Sequence, residues 1–93
     1  QRNYEVLGGE PFAPQNIIDV CEIIFKVKQR FPNIKIYVWS GYTLEELRKM
    51  YSHKILDNID VLIDGRFVLE ERDITLKLRG SKNQRILYKG TDF

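Results

Sequence analysis

The chain has 93 residues, 43% of them hydrophobic and 30% charged, with a formal net charge of +2. That length sets the expectation of one domain, 1–93, which buries only roughly 60–65% of its unfolded surface and is therefore marginally stable. The charge is too small to argue for nucleic acid, no apolar run approaches the roughly 20 residues of a membrane span, and no signal-peptide pattern is visible, so a cytoplasmic setting is expected.

Residues 3–7 (NYEVL) are short and apolar enough for a buried strand, ended by Gly8-Gly9. Pro11 and Pro14 keep the connection extended, and Pro14 sits near a helix start. From Gln15 to Arg30 the apolar positions Ile17, Val20, Cys21, Ile24, Val27 and Phe31 recur at three and four, which predicts a helix. Ile18, Ile23 and Phe25 widen its apolar face and predict cover on more than one side. Phe31-Pro32-Asn33 stops it.

Residues 34–40 (IKIYVWS) are β-branched and aromatic, a strand signature, with Tyr37 and Trp39 expected in the core. Thr43 and Glu46 have capping-box spacing and open a second helix with Leu44, Leu47 and Tyr51 inward. His53, the only histidine, is expected at the surface near that helix's end. Residues 59–64 (IDVLID) read as a third strand, ended by Gly65. Residues 67–78 alternate weakly, Gly80-Ser81-Lys82-Asn83 reads as a turn, and Gln84 to Tyr88 as one more strand. The order strand–helix–strand–helix–strand predicts an α/β fold: a parallel sheet with βα repeats and right-handed crossovers over residues 1–66, followed by a basic extension, 67–93.

In parallel α/β folds, ligands bind at the carboxyl ends of the strands. Those ends read LGGEP (7–11), WSGYT (39–43) and IDGRF (63–67). Gly8, Gly9 and Gly41 let a ligand approach the backbone. Glu10 and Asp64 offer carboxylates, Ser40 a hydroxyl, and Arg66 a fork suited to a carboxylate or phosphate. Together they suit a zwitterion; alternatively, these glycines make plain βα turns and Asp64 pairs with Arg66. Residues 75–90 hold Lys77, Arg79, Lys82, Arg85 and Lys89 and no acid, which makes either a solvated face or a surface for an acidic partner. Cys21, the only cysteine, lies on the apolar helix face and reads as a small core residue. One cysteine excludes an internal disulfide and any cluster ligated by this chain alone.

Taken together, "LGGEPFAPQN", "YVWSGYTLEEL", "IDVLIDGRF" and "LKLRGSKNQRIL" resemble the radical S-adenosylmethionine activating proteins of anaerobic (class III) ribonucleotide reductases, from Val6 to about Leu87. GGEP alone is shared with the wider superfamily, including the pyruvate formate-lyase activase and the deazaguanine synthases; RGSKNQR speaks against the latter. The resemblance implies a fragment of a partial (β/α) barrel. It implies a [4Fe-4S] cluster that cleaves S-adenosylmethionine to a 5′-deoxyadenosyl radical, which abstracts hydrogen from a glycine of the partner reductase. It further implies a reductant such as flavodoxin. On this resemblance Gly8, Gly9 and Glu10 meet the methionine amino group, Ser40 and Gly41 lie near the methionine and ribose, and Asp64 and Arg66 lie near the methionine. Arg79, Lys82 and Arg85 would dock the reductase. The family's C-x-x-x-C-x-x-C loop does not occur here, so the chain resembles the C-terminal part of an activase, with no metal ligands and no catalytic residue of its own, inactive alone. The first strand would then be a bare sheet edge open to self-association. The alternative is a non-catalytic α/β interaction module, or an activase for another glycyl radical enzyme.

Overall fold

The computed structural model describes the backbone of residues 3–6 and all of residues 9–93. Four strands form one sheet in the order β1 (Asn3–Val6), β2 (Lys35–Trp39), β3 (Val61–Asp64) and β4 (Arg85–Tyr88). The first three run parallel, with Val6 opposite Val38 and Trp39 opposite Ile63; β4 runs antiparallel to β3, pairing Asp64 with Arg85. The expectation of an α/β fold with parallel βα repeats therefore holds for β1 to β3. The reversed fourth strand makes the sheet mixed, and it brings the end of the basic extension into the sheet.

The helices are α1 (Ile17–Arg30) and α2 (Leu44–Met50). Neighbouring parallel strands joined by right-handed crossovers put both helices on one face of the sheet. The core lies between them: Ile17 and Ile24 from α1, Leu44 and Leu47 from α2, Ile36 and Val38 from β2, Leu62 from β3 and Leu87 from β4. This single-layer cover corrects the expectation for α1. Ile18, Ile23 and Phe25 are 78%, 47% and 50% exposed, because α1 has the sheet on one side only. Phe31 is also exposed, under the Arg30 guanidinium at 5.4 Å.

The capping box forms as its spacing predicts. Glu46 N–H donates to Thr43 Oγ1 at 3.1 Å, and Thr43 N–H donates to Glu46 Oε1 at 2.9 Å. At the amino ends of the strands, Asp60 accepts from Ile36 N–H at 2.8 Å and pairs with Lys28 at 2.9 Å, tying α1 to the sheet. His53 is exposed in a short 3-10 turn, His53–Leu56, as expected. Residues 67–78 form no strand; they hold a 3-10 turn at Leu69–Glu71 and then loop.

That loop contains Leu78 at φ +68°, the one non-glycine residue in the left-handed region among the described residues. Left-handed backbone costs an L-residue roughly 1–2 kcal/mol. Leu78→Gly is therefore expected to stabilise the chain by up to about 1 kcal/mol, after glycine's extra unfolded-state freedom is subtracted. A urea midpoint that fails to rise would contradict this.

Candidate functional site

Glu10 lies in the loop that joins β1 to α1, and the chain fixes it from several directions. Its Oε2 accepts from Phe12 N–H at 3.0 Å and from Ser40 Oγ–H at 2.8 Å, and its Oε1 accepts from Gly41 N–H at 2.7 Å. Its carbonyl accepts from Asn16 Nδ2–H at 2.9 Å. Asn16 precedes α1 but gives the helix no side-chain cap; its amide holds the Glu10 backbone instead. A Cβ at Gly41 would lie 3.2 Å from Glu10 Oε1, tighter than ordinary contact, so glycine there admits the carboxylate. Two strand ends expected to share a ligand are thus joined directly, through Glu10, Ser40 and Gly41.

The third strand end is built differently. Asp64 is 1% exposed, and its carboxylate is filled from within the chain. Asp64 Oδ2 accepts from Leu44 N–H, in the first turn of α2, at 2.7 Å. Arg85 grips both oxygens, Nε to Oδ1 at 3.0 Å and Nη2 to Oδ2 at 2.5 Å, and also reaches Glu45 at 2.7 Å. The alternative pairing of Asp64 with Arg66 does not form. Arg66 is exposed and stands 3.9 Å from Glu46. Gly65, at φ +98°, makes the turn beyond Asp64, a conformation that favours glycine.

Arg85 was an expected docking residue. In the fold its guanidinium lies between Asp64 and Glu45, which hold it charged and raise its pKa further. Arg79 donates to the carbonyls of Lys82 and Gln84 at 3.0 and 2.9 Å, while Lys82 is exposed. RGSKNQR is accordingly an internal knot as much as a basic surface. Gln84 gathers Gly80 N–H and Ser81 N–H on its oxygen and donates to Gly65 carbonyl at 2.9 Å. Asn83 donates to Arg66 carbonyl at 2.7 Å.

The hydrogen bond from Arg85 holds the Glu45 carboxyl below its ordinary value of 4.5. A carboxyl depressed in the folded state contributes stability above its unfolded pKa and loses it as pH falls through the folded value. The denaturation midpoint should therefore decline below about pH 4.5, and Glu45→Gln should remove part of that decline. Asp73, held down by the Thr75 hydroxyl and amide, should supply a remaining slope. An identical acid profile in the variant would contradict the assignment.

A cleft of about 240 Å³ opens at these strand ends. Gly9, Glu10, Ser40 and Gly41 line it, together with Trp39, Gly65, Phe67 and Gln84. Asp64 and Arg66 are not among its walls, and Gly8 lies outside the described residues. Trp39, expected in the core, is half-buried on the sheet face opposite the helices, its ring stacked on Tyr37 at 6.3 Å. Trp39, Phe67 and Gln84 join the lining beyond the residues that the sequence singles out. The signal for Trp39 was its place immediately before Ser40-Gly41 at a strand end; Gln84 carried no local signal.

The fold is thus a small α/β domain whose mixed sheet carries a carboxylate-lined cleft at the ends of its parallel strands. Comparison with known proteins makes it more specific. The family described as "4Fe-4S single cluster domain" matches residues 2–87, and the chain belongs to that family. It is 40% identical over 77 residues to the anaerobic ribonucleoside-triphosphate reductase-activating protein of Escherichia coli, covering 83% of this chain and 49% of that protein. It is 41% identical over 84 residues to the protein of the same name from Vibrio cholerae (90% and 54%), and 44% identical over 77 residues to that of Haemophilus influenzae (83% and 49%). The chain spans about half the length of these relatives. No solved structure matches it.

The family's cluster does not fit the residues present. Cys21, the only cysteine of the sequence, is half-buried on α1 against the core, and burial pushes its thiol pKa up, away from the thiolate a cluster needs. Among the described residues no group of three or more His, Cys, Asp or Glu could hold a metal ion. No helix among them is long and apolar enough to cross a membrane.

Proposed function

We propose that this chain is the amino-acid-binding half of the cofactor site in a radical S-adenosylmethionine activase of the partial-barrel type, whose target is anaerobic ribonucleotide reductase. One observation carries the reading. The half-buried Glu10 carboxylate is held by three neutral donors and, among the described residues, has no cationic partner. Each carboxylate oxygen accepts two hydrogen bonds readily, and among the described residues Oε1 takes one, from Gly41. A fixed carboxylate with spare capacity in a cleft suits an ammonium.

Gly9 supports the same reading. A Cβ there would meet nothing within 4 Å, so no neighbour requires glycine, and the space beside it belongs to the cleft. The cleft is below the roughly 300–1,000 Å³ of a pocket for a whole drug-sized ligand, which fits one end of S-adenosylmethionine. When bound to a cluster-bearing partner segment, that ligand would supply the hydrogen-abstracting radical; the residues here bind and orient its amino acid end. In this reading Asp64 brings α2 and β4 together at the site without touching ligand, Arg66 stands exposed beyond the cleft wall, and Gly8 is read as a ligand contact from the sequence alone. A reductant such as flavodoxin feeds the longer protein, Lys82 with the rim of Arg79 and Arg85 faces the reductase, and this chain alone is inactive. β1, at the edge of the described sheet, is the site of any self-association.

The test is a longer protein that adds the cysteine loop. Reconstituted with iron and sulfide, it should cleave S-adenosylmethionine under reducing conditions and raise a glycyl radical on the reductase, read by electron paramagnetic resonance. Iron binding with neither outcome would refute the reading.

A further inference from the structure

Trp39 is the only tryptophan of the chain, it lines the cleft beside Glu10 and Gly41, and two contacts fix its ring. It stacks on Tyr37 with 26° between the planes. Its Nε1–H donates to Leu78 carbonyl at 2.5 Å. That carbonyl belongs to the one described non-glycine residue with a left-handed backbone, φ +68°. The strained turn and the indole are thus two parts of one clasp, 39 residues apart in sequence.

The clasp has a chemical consequence. With its N–H engaged by Leu78, the indole contributes its ring to the cleft and no hydrogen-bond donor. Phe67 adds a second aromatic, packed on Gly80, where a Cβ would lie 3.1 Å from the ring. A ligand whose ammonium meets Glu10 therefore finds an electron-rich apolar wall for the group its α-carbon carries. Aromatic faces attract apolar and cationic groups and offer nothing to small or anionic ones.

We infer that Trp39, clasped by Leu78, is the specificity-determining wall of this cleft, selecting α-amino acids with a larger apolar or cationic side chain over those with a small one. This rests on the reading of Glu10 as the ammonium anchor and adds the determinant of side-chain choice.

L-Methionine and L-alanine, which share ammonium and carboxylate, are the probes. Binding is followed by the amide signal of Gly41 in nitrogen–proton correlation spectra of the whole chain. The wild type should prefer methionine roughly tenfold, and methionine should change Trp39 fluorescence while alanine does not. Trp39→Ala should remove the preference by lowering methionine affinity roughly tenfold more than alanine affinity, a split that a merely structural role would not give. Trp39→Phe, which keeps a ring and loses the clasp, should retain part of it. Methionine preference intact in Trp39→Ala overturns the inference. If Trp39→Ala fails to fold, silent Trp39 fluorescence during methionine binding, or an unaltered preference in Trp39→Phe, overturns it. Glu10→Gln separates the two claims: unchanged affinity for both amino acids there refutes the ammonium anchor, whereas loss of both with a retained wild-type preference leaves only Trp39 in question for its own variants to decide.

Discussion

Phe12→Ala is expected to destabilise the chain by about 3–5 kcal/mol, the usual cost of deleting a fully buried phenylalanine. A domain of this size has roughly 5–14 kcal/mol in total, so the variant should be close to unfolding at 37 °C. Phe12 is 0% exposed and sits in the core with Ile17, Leu47 and Leu56. It also organises the cleft. Its N–H donates to Glu10 Oε2, and its carbonyl accepts from the Tyr51 hydroxyl at 2.7 Å. The loop carrying Glu10 is thus nailed to the core two residues beyond that carboxylate. Tyr51→Phe is the control: it removes the hydroxyl bond alone, at about 1 kcal/mol, and keeps the side chain's packing. Urea midpoints measure both. A Phe12→Ala loss no larger than that of Tyr51→Phe would show that the ring is not the anchor.

Glu10→Gln should weaken binding of L-methionine by roughly tenfold to a hundredfold, the worth of one charge-assisted hydrogen bond. The substitution keeps shape and removes the charge that an ammonium needs. It also turns one acceptor into a donor. Both carboxylate oxygens face N–H or O–H groups, so the new amide must point at Gly41 N–H, or at Phe12 N–H and Ser40 Oγ. Ser40 can rotate its hydroxyl to accept; the two backbone amides cannot. A modest loss of stability, about 1–3 kcal/mol, should accompany the loss of affinity. Glu10→Ala should lose affinity as far without opposing donors. Unchanged methionine affinity in both variants would remove Glu10 from the site.

The residues that hold α2 show which features could be read in advance. Thr43 and Glu46 lie three apart, and their capping box depends on nothing beyond that turn. Asp64, by contrast, reads at a strand end as a carboxylate for a ligand. Its partners Leu44 and Arg85 lie 20 and 21 residues away, and only the antiparallel return of β4 brings Arg85 alongside. The same return ties the Arg85 guanidinium to Asp64 and Glu45 while leaving it partly exposed at the surface. For α1, the period of its apolar positions gives the helix, yet not how many sides would be covered.

By itself, then, the sequence determined the parallel βα order, the cap of α2, the three glycine-bearing strand ends and, through its motifs, the family. Those are short-range patterns or direct likenesses, legible without knowing where the chain returns. Tertiary structure alone decided that Glu10 is held by Ser40 and Gly41, that Asp64 is a brace, and that Trp39 faces a cleft under the clasp of Leu78. Each of these is a contact between residues 20 to 39 positions apart. Contacts at that range depend on how strands pair and where loops close, and no local spacing encodes that.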